Sequence, residues 1–395
     1  QEPTEIRDTK TGYGGTSSVY GGVSTPYGRF FVSSRERKIF NYTGELEEVV
    51  YGMESWLRDN MPFRIEELGI DVYADTFPNA ADATTGTVEL GFAIGYDPVY
   101  KRVLVTKREP VPTEALLKGL KIGEATNGIY VANNQFIRVI QDSAPRIEIA
   151  LSFADPQFFK TSGWTLSYYP ELKAWGSRHS YLPKLYVSTP DGMYSYKNTG
   201  LHAHDNIDNP GNFYGEIYPF EIEFIDNSQP SGGNIYSSVV YWADVRKRNS
   251  VDVTQTESRT NPGFTSFYVY NTTQISAIST NINYLNNIRK VDTWWYINSF
   301  RDLAKYTTQT SPYINSGKPN VVDKFTTTIE APISSESMFL EEGVVNPDYV
   351  DSTKPWHMQK RFVDNFMGVR LSNDNSSTNL LYLYAAGTKF RKSNR

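Results

Sequence analysis

Cysteine is absent from this 395-residue chain, which excludes disulfide staples, thiolate metal sites and cysteine nucleophiles together. Redox compartment stays open on that ground. Histidine is scarce, at four copies, and the sequence has no Gly-x-Ser-x-Gly elbow, phosphate-cradling glycine loop or dinucleotide fingerprint. Nucleophilic hydrolysis and nucleotide chemistry therefore lack an anchor. No apolar run approaches the length of a bilayer span, and no charged-then-apolar leader opens the sequence, so no membrane span is expected. The formal charge of −5 is small for this length and gives no reason to expect wrapped nucleic acid or an anionic membrane surface. Gln1 stands where an initiator Met would; proteolytic processing, a removed leader and partial coverage of a longer polypeptide all fit.

Aromatic residues are abundant: 28 Tyr, 21 Phe and 7 Trp. Such side chains favour strands and interfaces, where one end is buried and a polar tip stays wet, so the composition leans towards a β protein with extensive contacts. The length leaves room for two or three domains.

One internal repeat aligns without a gap. Gly91 to Lys101 matches Gly163 to Lys173 through the pattern Gly, aromatic, any, aliphatic, any, Tyr, any, Pro, any, any, Lys. In each copy an alternating strand runs into a Pro turn and out into a second strand, Arg102 to Thr106 or Ala174 to Tyr181. A second hairpin follows each: Ile129 to Ile140 around Asn133-Asn134, and Leu185 to Tyr196 around Asp191-Gly192, residues that accept the positive φ of tight turns. The pattern predicts two consecutive four-stranded antiparallel units over Gly91 to Tyr196. An earlier hairpin is expected at Phe30 to Ser33 and Lys38 to Tyr42. Four-stranded units of this kind build β-propeller blades, so residues 1–226 read as a propeller-like region with too few blades to close a ring. The missing blades would come from other polypeptide, with partners at the edges of the hairpins at Phe30 to Tyr42 and Leu185 to Tyr196.

Leu46, Val49, Val50, Met53, Trp56 and Leu57 fall on one helical face and Pro62 follows, which predicts a helical insertion over 45–60; a short helix is also expected at Thr113 to Leu120. The polar, Gly- and Pro-containing run Asn227 to Asn234 marks a boundary. Beyond it strands are expected at Ser237 to Val245, Phe264 to Ile278, Lys324 to Ile329, Phe362 to Leu371 and Leu380 to Phe390, giving a β-sandwich-like or barrel-like domain over 235–395. The fold class is mainly β.

Candidate chemistry is sparse. His202 and His204, two apart, share a strand face, and Asp205 and Asp208 follow, which makes a metal site conceivable. A third and fourth ligand at a recognised spacing are missing, so a polar loop is the weightier reading. Glu216, Glu221 and Glu223, taken with Trp164, Trp175 and many Tyr, suggest a glycosidase cleft, but exposed Glu on strand faces is common. Arg246, Lys247 and Arg248, and the tail residues Lys389, Arg391, Lys392 and Arg395, form basic clusters that could touch DNA phosphates. With no aromatic platforms interleaved among them, a solvated end or a salt-bridged subunit contact is the plainer reading. Asn41 to Thr43, Asn271 to Thr273 and Asn375 to Ser377 fit the glycosylation triplet, which also arises by chance. No catalytic, metal or cofactor residue is assigned.

Several stretches together resemble the large tail muzzle, or nozzle, proteins of crAss-like phages that infect gut Bacteroidetes. Thr25 to Val32, Lys38 to Tyr42, Gly44 to Glu48, Gly52 to Trp56 and Asn60 to Phe63 resemble that family's blade-to-helix passage. Trp164 to Leu182, Tyr214 to Ile225, Tyr270 to Ile275, Trp295 to Asp302 and Leu380 to Arg395 are similar to its C-terminal part. Such proteins are far longer, so the resemblance implies a C-terminal portion or cleavage product. It further implies a virion tail component around the DNA exit channel, in a hexameric ring of its own copies. The partners implied are the remainder of the precursor, neighbouring tail ring proteins and genomic DNA in transit; no catalytic residue or cofactor comes with the resemblance. A carbohydrate- or receptor-binding propeller module is the alternative. The placement of Trp56, Trp164, Trp175, Trp294 and Trp295 separates the two, since burial favours assembly and an exposed coplanar row favours sugar.

Overall fold

The computed structural model describes residues 15–16, 18–73, 90–121, 128–197, 200–205, 211–227, 233–246, 261–276, 279–280, 288–298, 300–312, 326–332, 338–339, 345–375 and 380–392, without side chains at 279–280, 307–312 and 326–332. The chain divides into two compact units, Gln1–Ile207 and Asp208–Arg395. Each is built mainly from strands in several small sheets, antiparallel but for one short parallel pair, and no closed barrel or ring of blades forms among the described residues.

In chain order the N-terminal unit contains β1 (Gly22–Thr25), β2 (Gly28–Ser33), β3 (Lys38–Tyr42), β4 (Leu46–Glu48), helix α1 (Glu54–Asn60), β5 (Gly91–Asp97), β6 (Arg102–Pro112) and helix α2 (Glu114–Gly119). There follow β7 (Leu120–Lys121), β8 (Gly128–Ala132), β9 (Gln135–Gln141), β10 (Ile147–Ala150), β11 (Phe159–Tyr169), β12 (Ala174–His179), β13 (Leu185–Thr189), β14 (Gly192–Lys197) and β15 (Gly200–Ala203). Four sheets result, ordered β1-β2-β3-β4, β10-β9-β8-β7, β12-β11-β6-β5 and β13-β14-β15.

The repeat survives as local geometry and fails as a unit of assembly. Gly91 and Gly163 both take positive φ (134° and 147°), and Lys101 and Lys173 both close their turns in the left-handed region (50° and 48°). The two hairpins do not found separate units, however. β11 lies along the free side of β6 from Phe159 opposite Pro112 to Tyr168 opposite Val103, which fuses β5, β6, β11 and β12 into one sheet. Phe92 and Trp164 therefore occupy non-equivalent strands, one at the edge and one inside, flanking Lys107 from opposite sides. The reason is visible in β6, which is buried along almost its whole length and so behaves as a central strand needing two partners. At Gly163 a Cβ would stand 1.9 Å from the Lys107 carbonyl oxygen, so only glycine lets the strands approach there. The second hairpins form as expected, β8–β9 through Asn133 and Asn134 at φ 50° and 61°, and β13–β14 with Thr189 opposite Gly192. Asp191 and Gly192 do not take the positive φ anticipated for them.

The predicted 45–60 helix is shorter than its apolar pattern. Leu46–Glu48 pair with β3 as an edge strand, Tyr51 and Gly52 turn the chain with φ of 36° and 82°, and the helix begins only at Glu54. Val49, Met53, Trp56 and Leu57 still enter the same core, which is why their spacing imitated one long helix. Helix α2 matches expectation, with Thr113 Oγ1 accepting from the Leu116 amide as an N-cap.

The C-terminal unit contains β16 (Asn212–Phe213), β17 (Glu216–Ile217), β18 (Phe220–Asp226), β19 (Asn234–Arg246), β20 (Ser266–Tyr270), β21 (Ser279–Thr280), β22 (Ile288–Val291) and β23 (Trp294–Ile297). It is completed by β24 (Tyr306–Pro312), β25 (Thr326–Pro332), β26 (Val363–Asp364), β27 (Met367–Asn373) and β28 (Leu380–Lys392). One sheet runs β18-β27-β20-β21; the other runs β22-β23-β19-β26, with β28 also paired to β19. Both contribute to a single core, with Tyr236, Val239, Tyr241 and Trp295 from one and Phe267, Met367, Val369 and Leu371 from the other. The division between units lies before β18, not at the 227–234 run, because β18 pairs with β27 residue by residue from Phe220 opposite Asn373 to Asp226 opposite Met367.

Candidate functional site

One cluster of titratable residues in the N-terminal unit gathers Asp97, Arg102, His179, His204 and Asp205. β15 places His202 opposite Ser195 of β14, and the chain turns at Asp205, φ 62°, just after His204. His204 Nε2 lies 2.6 Å from Ser195 Oγ, and its ring stands 5.3 Å from Tyr181 and 6.4 Å from Tyr186. His179, from β12, stands 5.2 Å from Tyr181 on its own side. Beside them Asp97 caps the β5–β6 turn, accepting from the amides of Val99 and Tyr100, and pairs with Arg102 at 2.9 Å; Arg102 also reaches to 3.8 Å of Asp205. Thr106 and Thr165 share a hydrogen bond of 2.8 Å, and Tyr186 joins Thr106 at 2.6 Å.

Burial dominates the electrostatics. It pushes the His204 imidazole down to about 4, against the pull of Asp97 and with help from Arg102, and it pushes His179 equally to about 4, with Arg102 and His204 adding to the effect. Both rings are neutral at pH 7. The Ser195–His204 contact has the form of a nucleophile beside a base, but Ser195 is wholly buried, so the pair is a satisfied polar contact inside the unit. Asp208 lies outside the described residues. Among those described, no group of three or more His, Asp or Glu side chains is arranged to hold a metal ion.

The other candidates are also engaged within their units. Trp164 Nε1 donates to the Asn60 carbonyl at 3.1 Å and Trp175 Nε1 to the Val50 carbonyl at 3.0 Å, so both indoles tie the α1 segment to the β12-β11-β6-β5 sheet. Lys107 completes that anchor from the buried face of β6. Its Nζ donates to the Pro62 carbonyl at 2.7 Å and to Glu109 at 2.8 Å, while Glu109 accepts from the Arg64 amide. In the C-terminal unit Arg370 pairs with Glu221, Tyr270 donates to Glu223 at 2.7 Å, and Tyr218 donates to Glu216. Asn41 and Asn271 of the glycosylation triplets are buried, and Asn375 donates to the Tyr218 carbonyl.

A charged cleft of about 590 Å³ opens beside the β2–β3 turn, lined by Ser34, Arg35, Glu36, Arg37, Glu66, Asp71 and Tyr73. Among the described residues Glu66 Oε1 is buried there without a hydrogen-bond partner, and desolvation raises its carboxyl above the usual range. Desolvation also lifts the Tyr73 phenol to about 12.

The basic clusters are the largest departure from the sequence reading. Lys247, Arg248 and Arg395 lie outside the described residues. Arg246 and Lys389 sit on the paired strands β19 and β28, and aromatic rings are interleaved with both: Arg246 lies 4.6 Å over Tyr382 and Lys389 lies 4.5 Å over Tyr296. Strand pairing supplies the platforms that the linear sequence separates. Of the Trp residues, Trp164 and Trp295 are buried, Trp56, Trp175 and Trp294 are half-buried, and Trp242 and Trp356 are exposed.

Compared with known protein families and with curated proteins, the chain matches none.

Proposed function

We propose that this chain is a structural component of a phage virion tail, forming part of the ring-shaped muzzle around the DNA exit channel. It works by assembly with its own copies in a hexameric ring, with the rest of its precursor and with neighbouring tail proteins, and no catalytic residue or cofactor is assigned to it. The observation that carries the assembly reading is the coincidence of open strand edges with exposed apolar side chains. The β2–β3 hairpin is flanked by β1 and β4, and β14 by β15, so those edges of the expected hairpins are covered. Among the described strands β10, β15 and β18 each end a sheet, and Ile147, Leu201 and Ile225 on them are 42%, 58% and 61% exposed. Proteins cover or blunt such edges, because unpaired N–H and C=O rows template further pairing. The resemblance of the motifs from Thr25 to Phe63 and from Trp164 onward gives the assembly its kind.

The β1–β4 meander, four antiparallel strands in chain order, supports a blade-like reading of that sheet, and the shared two-sheet core supports a sandwich-like C-terminal unit. The fused β12-β11-β6-β5 sheet argues against counting two further blades. Sedimentation of the isolated chain beside mass analysis of purified phage particles tests the proposal. Self-association of the chain and its presence in the tail in ring stoichiometry are expected. A monomer at every concentration, absent from particles, would overturn it.

A further inference from the structure

The outer face of the β22-β23-β19-β28 surface carries aromatic rings in a row across neighbouring strands, an arrangement independent of the assembly reading. Alternation along β19 turns Tyr241 and Ala243 inward and Trp242, Asp244 and Arg246 outward. Trp242 stands opposite Trp294 of β23, ring centroids 6.4 Å apart, and 4.8 Å from Tyr384 of β28. The rings tilt by 47° and 38° to one another, so they form a shallow curved strip instead of a closed stack. Trp242 and Tyr384 are 36% and 47% exposed. Arg246, which also donates to the Tyr384 hydroxyl at 3.3 Å, stands at one margin, and Lys389 stands at the other.

Three features together select an occupant. Flat π faces carry negative charge and attract the weakly positive C–H faces of sugar rings. Cations at the margins of the strip complement carboxylates. Single-stranded nucleic acid also uses stacked aromatics and cations, but Asp244 lies on this face between Trp242 and Arg246. It forms no hydrogen bond or ion pair among the described residues. A pyranose ring offers that carboxylate several hydroxyl donors, whereas an internal deoxynucleotide offers none. We propose that this face binds acidic polysaccharide: Trp242, Trp294 and Tyr384 stack sugar rings, Arg246 and Lys389 pair with uronate carboxylates, and Asp244 accepts from hydroxyls.

Titration of the full chain with oligogalacturonate, neutral dextran and oligo-dT, read by tryptophan fluorescence and calorimetry, tests this. Saturable binding of oligogalacturonate, weaker binding of dextran and weakest binding of oligo-dT are expected. Trp242→Ala should weaken oligogalacturonate binding about tenfold or more, as loss of a central aromatic anchor does. Tyr384→Ala serves as the second variant if circular dichroism shows that the first misfolds. Arg246→Gln with Lys389→Gln should reduce affinity for oligogalacturonate and flatten its salt dependence while leaving dextran binding unchanged. Trp356→Ala, an exposed ring outside this face, should change nothing. Absence of saturable oligogalacturonate binding, equal or tighter binding of oligo-dT, or full affinity in folded Trp242→Ala protein would each overturn the proposal.

Discussion

The two units place their ion pairs differently. In the N-terminal unit ionic and polar groups are drawn inside: Lys107 and Glu109 are buried, Asp97 is wholly so, and His179 and His204 pack against Tyr181, with Ser195 bonded to His204. In the C-terminal unit the core between the two sheets is apolar and aromatic, and the cations stand on the outer rings of Tyr296 and Tyr382. A buried ion pair tolerates the loss of one partner poorly, while an exposed cation–π contact contributes little to stability and stays available for a ligand. The difference separates a unit that buries ion pairs from one whose described ion pair, Arg370–Glu221, is part-exposed and whose buried carboxylate, Asp302, is held by hydrogen bonds from Ala304 and Tyr306.

The sharpest way to break this contrast is to remove one partner of the buried pair. Lys107→Ala leaves Glu109 uncompensated and detaches the Pro62 carbonyl, so the N-terminal unit should lose about 3–5 kcal/mol. Hydrogen exchange should show the loss in β6, β11 and α1, with C-terminal amides unchanged. Lys107→Met combined with Glu109→Leu should recover much of it. Met367→Ala, in a wholly buried apolar site, should cost about 2–4 kcal/mol in the other unit alone.

Acid should act next most strongly, and through the N-terminal unit's histidines. Their folded pKa of about 4 lies below the ordinary 6.5, so the unfolded chain takes up protons first as pH falls. The stability they confer is whole above about 6.5 and drains away between 6.5 and about 4. From His204 alone, denaturant titrations at the two ends of that window should differ by roughly 2–3 kcal/mol. His204→Asn should flatten the slope. The smallest effect sharpens a local point: Thr113→Ala removes the α2 cap and should cost about 1 kcal/mol, read as faster exchange at Leu116.

Much of the fold was legible where local chemistry decides it. Asn133-Asn134 announced the β8–β9 turn, Thr113 announced α2, and the Gly and Lys positions of the repeat marked matching turn geometry. What escaped depended on partners distant in sequence. Nothing in Arg102 to Pro112 says that β11 would pair with it, and nothing in Leu46 to Glu48 says that β3 would take those residues from a helix whose pattern they fit. The candidate sites followed the same rule. His202 and His204 were visible as a spaced pair, but His179 and the Asp97–Arg102 pair reach that cluster only through the arrangement of the sheets. Arg246 and Lys389 read as bare charge until β19 and β28 lie side by side.

The pairing of β18 with β27 and of β19 with β28 also sets an order of events during synthesis. The strands that open the C-terminal unit leave the ribosome long before the ones they hydrogen-bond to. Until Met367 to Lys392 have emerged, the first sheet lacks the strand between β18 and β20, and the second lacks a long neighbour of β19. The N-terminal unit has by then every described strand it needs. Its neighbour waits as an unfinished pair of edges, open to chaperones or to strands of other chains, and closes only when its last two long strands arrive.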